Sequence, residues 1–303
     1  MANVGTITTP SGHTDVLSRA HQRAALMPDL LVEAQRIVAS VISGWHGRRK
    51  RGTGENFWQF RPYSEGESLA RIDWRRSARD DHTYVRDNEW EAAHTVWLWA
   101  DPSASMLYKS VHASVSKESR ALVLTLALAE LLSRSGERIG WPGLTDPVTA
   151  RNGAERLAVR LSHAGDLPSV PPVEHVRRFS DLVIVSDFLE PVEEVIARLS
   201  PLAERGVRAH LIEVADRAEE IFPYAGRTEF RDPETGERLT AGRAETFAAD
   251  YTQLYLARRE ELARWARRLG WSFTVNHTDE LASAALVQVH MALSEPAGYR
   301  GAH

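Results

Sequence analysis

The 303-residue sequence contains no cysteine. That excludes thiol nucleophiles, Cys-ligated zinc, iron–sulfur clusters and disulfides in one step. Lysine is nearly absent: Lys50, Lys109 and Lys117 are the only three among 37 basic residues, a bias to which no function is attached. Long hydrophobic runs are missing too. Residues 121–132 are interrupted by Glu130 and residues 281–293 by Gln288 and His290, and both fall short of the ~18 residues a membrane helix requires. Residues 1–17 lack the basic start and apolar stretch of an export signal. These absences predict a soluble, cytoplasmic chain without a membrane span.

What is present suits a globular protein. Hydrophobic residues make up 43% and charged residues 26%, close to ordinary soluble domains, and the length admits one large domain or two small ones. Asp29 precedes Leu30, Leu31, Ala34, Ile37, Val38, Val41 and Ile42, a helical stripe that Gly44 should end. Residues 1–43 are therefore read as a polar tail and one amphipathic helix. Residues 45–86 hold ten basic and six acidic side chains, a local charge of +4 in a chain whose net charge is −4. Six of the nine Trp lie between Trp45 and Trp99, so residues 44–90 read as a small basic, aromatic subdomain with short strands near 57–60 and 83–90.

From 91 to 295 strand and helix signals alternate, the pattern of an α/β domain with a mostly parallel sheet and helices on both faces. Strands are expected at 95–100, 138–141, 181–186, 207–214 and 271–275, and helices at 118–135, 154–162, 192–205, 243–269 and 280–293. The turn-forming run from Arg231 to Glu237 predicts a small hairpin between 226 and 239.

The sharpest chemical constellation is Asp101, Ser103 and Ser105, in a loop directly after a predicted strand. A carboxylate followed by hydroxyls at alternate positions gathers hard oxygens, as Mg²⁺ or another oxygen-preferring ion demands. Asp187 follows the strand at 181–186 in the same way, and ligands in open α/β sheets collect beyond strand ends where the strand order reverses. Asp and Ser in these positions are equally turn formers and helix caps.

Asp101-x-Ser103-x-Ser105 together with Ser186-Asp187 resembles the metal-ion-dependent adhesion site of von Willebrand factor A domains. The run from Phe60 to Arg79, with Arg61, Tyr63, Gly66, Arg71, Asp73, Trp74, Arg75, Ser77 and Arg79, is similar to the signature of the bacterial family called domain of unknown function 58. Phe230 to Glu237, and Gly270-Trp271 through His277-Thr278-Asp279, extend that resemblance over residues 44–293. The resemblance implies a von Willebrand A-like, Rossmann-like sheet, a MoxR-type AAA+ ATPase and protein clients as partners, and no established enzyme activity. It further implies a divalent cation such as Mg²⁺ held by Asp101, Ser103, Ser105 and Asp187. The full adhesion pattern adds a Thr from a further loop, for which Thr145 and Thr149 are the candidates. Many relatives carry two membrane helices ahead of the signature, where this sequence shows one amphipathic helix.

Two rivals belong to other classes: a nucleic-acid-binding protein using the basic residues of 48–86, and a metal-dependent hydrolase at Asp101 and Asp187. Interleaved acids dilute the field of the basic segment, so nucleic acid is not the expected partner. The sequence contains no G-x-S-x-G elbow, phosphate-binding loop, zinc helix or dinucleotide fingerprint. The expectation is a non-enzymatic interaction module. Arginines around Trp74 suit an ion-pair network under an aromatic lid, and His277, Thr278 and Asp279 read as N-capping residues for the last helix.

Overall fold

The apolar stripe at 29–44 belongs to a longer helix, α1 (His13–His46), in a computed structural model that describes residues 13–46, 57–64, 72–79, 82–88, 94–165, 167–168 and 170–294. Pro28 lies inside α1, and Gly44 does not stop it. The stripe Met27, Leu30, Ala34, Val38 and Val41 is buried in the main core. Two compact units divide the chain: Met1–Ser43 with Thr95–His303, and Gly44–His94.

In the smaller unit, β1 (Phe57–Pro62) pairs antiparallel with β2 (Tyr84–Asn88), and a single-turn helix, α2 (Trp74–Ser77), lies between them in sequence. The signature residues build this hairpin. Asp73 caps α2, its Oδ1 accepting the Arg76 N–H at 2.9 Å. Ser77 Oγ donates to the Asp73 carbonyl at 2.8 Å and accepts the Tyr84 N–H at 2.8 Å, pinning α2 to β2. The Tyr63 N–H donates to the Thr83 carbonyl, Arg61 pairs with Val85 through the backbone, and the Arg79 N–H closes a turn on Arg76. Arg76 stands 5.0 Å over the Tyr84 ring.

Of the expected ion-pair network under an aromatic lid, Asp73 and Trp74 are within the described residues, while the ion pairs expected of Arg71 lie outside them. Asp73 is a helix cap, its carboxylate taking a free first-turn N–H, while Trp74 is 65% exposed and Arg75 is exposed. Gly66, Arg71 and the run Arg48–Arg51 lie outside the described residues.

The larger unit is a six-stranded sheet. Its strands are β3 (Thr95–Ala100), β4 (Arg138–Trp141), β5 (Thr145–Thr149), β6 (Asp181–Ser186), β7 (Arg208–Ala215) and β10 (Ser272–His277), in the order β10-β7-β6-β3-β4-β5. A separate hairpin, β8 (Thr228–Arg231) with β9 (Arg238–Ala241), follows β7. All sheet neighbours are parallel except β4 and β5. The antiparallel β5 was not expected from sequence, because Pro147 in Thr-Asp-Pro-Val-Thr argues against a strand. An edge position tolerates it.

The helices are α3 (Lys117–Arg134), α4 (Gly153–His163), α5 (Val192–Glu204), α6 (Arg217–Ile221), α7 (Ala248–Arg268) and α8 (Ala282–Ser294). Right-handed crossovers leading in opposite directions from the sheet centre put α3 and α5 on opposite faces; α3 packs with α4 and α8, and α5 with α7. The strand order reverses between β3 and β6, so a crevice opens beyond their carboxyl ends. No helix among the described residues is long and apolar enough to cross a membrane.

Removing the α2 cap distinguishes a capping role of Asp73 from a buried ion pair. Asp73→Ala is expected to cost about 1 kcal/mol in urea unfolding, well below the ~3–5 kcal/mol of a broken buried ion pair.

Candidate functional site

Asp101 stands one residue beyond β3, and its N–H donates to the Val185 carbonyl of β6 at 2.8 Å. The loop therefore starts pinned to the neighbouring strand. Asp101 is 9% exposed. Its Oδ2 accepts the Ser186 hydroxyl at 2.6 Å and its Oδ1 accepts the Ser103 N–H at 2.8 Å. Ser103 Oγ and Ser105 Oγ lie 3.2 Å apart. Asp101, Ser103 and Ser105 are thus brought together as the spacing implied.

Asp187 turns to a different partner. Lys117, the first residue of α3, is completely buried and donates from Nζ to Asp187 Oδ2 at 2.8 Å and to Glu219 Oε1 of α6. Its ammonium lies 5.7 Å from the centre of the Tyr108 ring. Burial alone would favour a neutral lysine, but the charges of Asp187 and Glu219 outweigh it and raise the Lys117 pKa. Burial likewise pushes the Asp187 carboxyl up, yet the Lys117 ammonium, with smaller help from Ser105 and the Leu189 amide, holds it below the usual carboxylate range. Glu219 is raised, chiefly by burial, with Lys117 opposing and Asp187 repelling it. For Asp101, burial and then the Asp187 charge push the carboxyl up to about 6, against hydrogen bonds from Ser186 and Ser103. Asp101 has no basic partner among the described residues.

A second polar layer continues along the same sheet edge. The buried Glu213 of β7 receives Arg259 Nε at 2.8 Å, Arg258 Nη2 at 3.2 Å and the Tyr255 hydroxyl at 3.4 Å. Arg259 also reaches Glu220, which binds His277 Nε2 at 2.8 Å. His277 and Asp279 therefore engage α6, through Glu220 and Arg217, and the Thr278 N–H bonds to the Ala215 carbonyl. The N-capping reading of these three residues is corrected: they close β10 onto the β7–α6 corner. Asp216 caps α6 and accepts the Ser110 N–H at 2.9 Å.

The β8–β9 hairpin reaches the site from far along the chain. Glu234 Oε1 accepts the Ser105 N–H at 2.8 Å, and the Tyr224 and Tyr108 hydroxyls lie 2.8 Å apart. Thr145 and Thr149 do not complete the constellation. Thr145 Oγ1 accepts the Trp141 N–H on the sheet edge, and Thr149 pairs with Arg138 at the opposite end of β4. The third loop beside Asp101 instead carries Val170 and Pro171, which line a cleft of about 30 Å³ with Asp101, Ser186 and Phe188.

Residues 59–261 match the family described as "Protein of unknown function DUF58". The chain belongs to the DUF58 family. It is 26% identical over 273 residues to "Uncharacterized protein Rv1480" of Mycobacterium tuberculosis and to "Uncharacterized protein Mb1516" of Mycobacterium bovis, covering 84% of this chain and 85% of each relative. Among solved structures it is similar to the conserved hypothetical protein BatB from Bacteroides thetaiotaomicron, at 15% identity and a TM-score of 0.41, covering 67% of this chain and all of that one.

In this DUF58 protein the family match spans Asp101, Lys117, Asp187, Glu219 and Glu234. Lys117 and Glu219 were not singled out from sequence, although Lys117 is one of three lysines in an arginine-rich chain, directly after the α3 cap Ser116. That rarity is a usable signal. Of the four expected metal ligands, Asp101, Ser103 and Ser105 fit a hard cation: one buried carboxylate without a basic partner among the described residues, and two adjacent hydroxyls. Asp187 is brought to the same place, in contact with Ser105, but with Oδ2 engaged by Lys117 only its Oδ1, 3.3 Å from the Leu189 nitrogen, would serve a cation directly or through water.

This charge arrangement has two measurable outcomes. Lys117→Met leaves Asp187 and Glu219 buried without their cation and is expected to cost about 3–5 kcal/mol in urea unfolding, with much of the loss recovered in a Lys117→Met/Asp187→Asn/Glu219→Gln variant. The Asp101 carboxyl sits above its ordinary 3.8 in the folded state, so its protonation favours folding, and that gain is lost as pH rises through about 6. Asp101→Asn should be more stable than wild type above pH 6 by about 3 kcal/mol, a gap that closes as the pH is lowered to about 4 in parallel denaturation curves.

Proposed function

We propose that this protein is a non-enzymatic protein-interaction module whose α/β unit is von Willebrand A-like and docks partners at the carboxyl edge of β3 and β6. The observation that carries this reading is the convergence of Asp101, Ser103 and Ser105 at the reversal of strand order, beside a cleft of only about 30 Å³. Small-molecule pockets are roughly ten times larger or more, whereas a loop edge with two half-buried hydroxyls suits a partner's side chain.

The partner implied by the family resemblance is a MoxR-type AAA+ ATPase, or a protein client handed to it. A divalent cation at this edge would be held by Asp101, Ser103 and Ser105, and when bound it supplies a positive centre for a partner carboxylate. The chain's own part is to present two hydroxyls and an anchored carboxylate, while Lys117 keeps Asp187 neutralised. Ser186 and the Ser103 N–H hold the Asp101 carboxylate in its orientation without a bound ligand.

The test is a pull-down of a co-expressed MoxR-type ATPase with wild type, Asp101→Asn and Asp101→Ala, with and without chelator, alongside calorimetric titration of Mg²⁺, Mn²⁺ and Ca²⁺. Wild type is expected to retain the ATPase. Both variants should lose at least tenfold in affinity while remaining folded, Asp101→Asn with a raised melting transition. Retention indifferent to both substitutions would overturn the docking site, and retention indifferent to chelator with no heat of binding would remove the cation from it.

A further inference from the structure

The β8–β9 hairpin is mounted apart from the main core. Phe222, Ala241 and Ala244 form a small buried cluster with Tyr224, Phe230 and Tyr251 around them, and the Phe222 ring stacks on Phe230 at 5.6 Å. Two hydrogen bonds connect this arm to the loop after β3: Tyr224 to Tyr108, and Glu234 to the Ser105 N–H.

The hairpin tip keeps its shape without Glu234's side chain. Asp232 accepts the Glu234 N–H and the Thr235 hydroxyl, each at 2.8 Å, and its carbonyl accepts the Gly236 N–H at 2.9 Å. Gly236 has φ +78°, a conformation that glycine adopts without a Cβ penalty. The turn is built by Asp232, Thr235 and Gly236. The exposed Glu234 carboxylate is left to reach across to Ser105, in the loop that holds Asp101 and Ser103.

The choice of a carboxylate here is informative. Asp101 has no basic partner among the described residues, and Asp187 and Glu219 share the single Lys117 ammonium, so a further carboxylate at this edge meets repulsion and is held by a directional N–H donor. Such a contact is specific in chemistry, solvent-exposed and readily exchanged, because a single exposed hydrogen bond contributes only about 0.5–1.5 kcal/mol. We propose that Glu234 is a tethered stand-in for the partner: the edge binds an Asp- or Glu-bearing segment of a partner protein by exchanging the Glu234 carboxylate for the incoming one at the Ser105 N–H. This rests on the docking reading above and adds an intramolecular competitor to it.

A competitor on the same donor lowers apparent affinity by the fraction of molecules in which the donor is free. If the arm is closed nine-tenths of the time, removing the carboxylate tightens binding about tenfold.

The experiment uses the full chain and a fluorescein-labelled hexaglutamate peptide followed by anisotropy, with hexaglutamine as the uncharged comparison. Hydrogen exchange at the Ser105 amide is read in parallel. Glu234→Ala and Glu234→Gln are expected to bind hexaglutamate about tenfold tighter than wild type, and Glu237→Ala, which removes the same charge from the same tip, to bind as wild type does. The Ser105 amide should be protected in wild type, exchange faster in Glu234→Ala, and regain protection with peptide. Equal or weaker binding by Glu234→Ala, equal tightening in Glu237→Ala, or unchanged Ser105 exchange would overturn the proposal. If hexaglutamate binds none of the variants while ATPase retention still depends on Asp101, the exchange idea fails and the docking reading stands. Tighter binding by Glu234→Ala with retention indifferent to Asp101 overturns the docking reading and leaves the exchange at the Ser105 N–H in place.

Discussion

The Lys117 ammonium joins three parts of the chain, the start of α3, the end of β6 and the first turn of α6, with Asp187 and Glu219 lying 70 and 102 residues beyond it. A buried charge is costly unless it is paired and its donors are used. A lysine, compact and with three donors, meets that condition by serving Asp187 and Glu219 together. The rest of the sheet edge is arranged around this pairing. Because Lys117 is given to Asp187, the neighbouring Asp101 is left to hydroxyl and amide donors, and its carboxyl is held high by burial and by Asp187.

The same edge is stiffened from below by arginines of α7. Arg258 donates to the carbonyls of Asp187 and Phe188 and binds Glu213, while Arg259 spans Glu213 and Glu220. Phe188 has φ +47°, in the left-handed region that a Cβ disfavours, and such strain persists only where surrounding contacts over-determine it. Here the contacts are Arg258 on its carbonyl and Ser186 Oγ on its N–H. The turn after β6 is thereby fixed, and with it the direction of Asp187 toward Lys117. On the other side, Arg19 of α1 donates to the Pro102 carbonyl at 2.6 Å and Arg23 pairs with Glu118, so the N-terminal helix braces both the Asp101 loop and the start of α3.

A stiff edge with one tethered visitor accounts for the division of labour among the loops. The strand ends supply fixed carboxylates and hydroxyls, α3 and α7 supply the cations that pair with Asp187 and Glu213, and the β8–β9 arm, on its own aromatic cluster, supplies the exchangeable contact. In the smaller unit the described part of the signature run does local work. Asp73, Ser77 and Arg76 hold a one-turn helix to β2, which is why so polar a segment has a defined shape.

The sequence by itself determined the α/β alternation, because buried parallel strands such as Val-Trp-Leu-Trp-Ala and Leu-Val-Ile-Val carry an unbroken apolar signal. It also determined that Asp101, Ser103 and Ser105 share one loop, since residues two apart after a strand end cannot separate far. The edge strand β5 escaped because its Pro147 and exposed residues carry no such signal, and α6 escaped because five residues are too few for a period. Only the tertiary structure decided which charges meet. Lys117 and Asp187, Glu213 and Arg259, and Glu234 and Ser105 lie 70, 46 and 129 residues apart. No local pattern encodes such pairs: a charged side chain is chosen for its partner across the fold, and that partner is specified only when strand order and crossovers bring the two elements to one edge of the sheet.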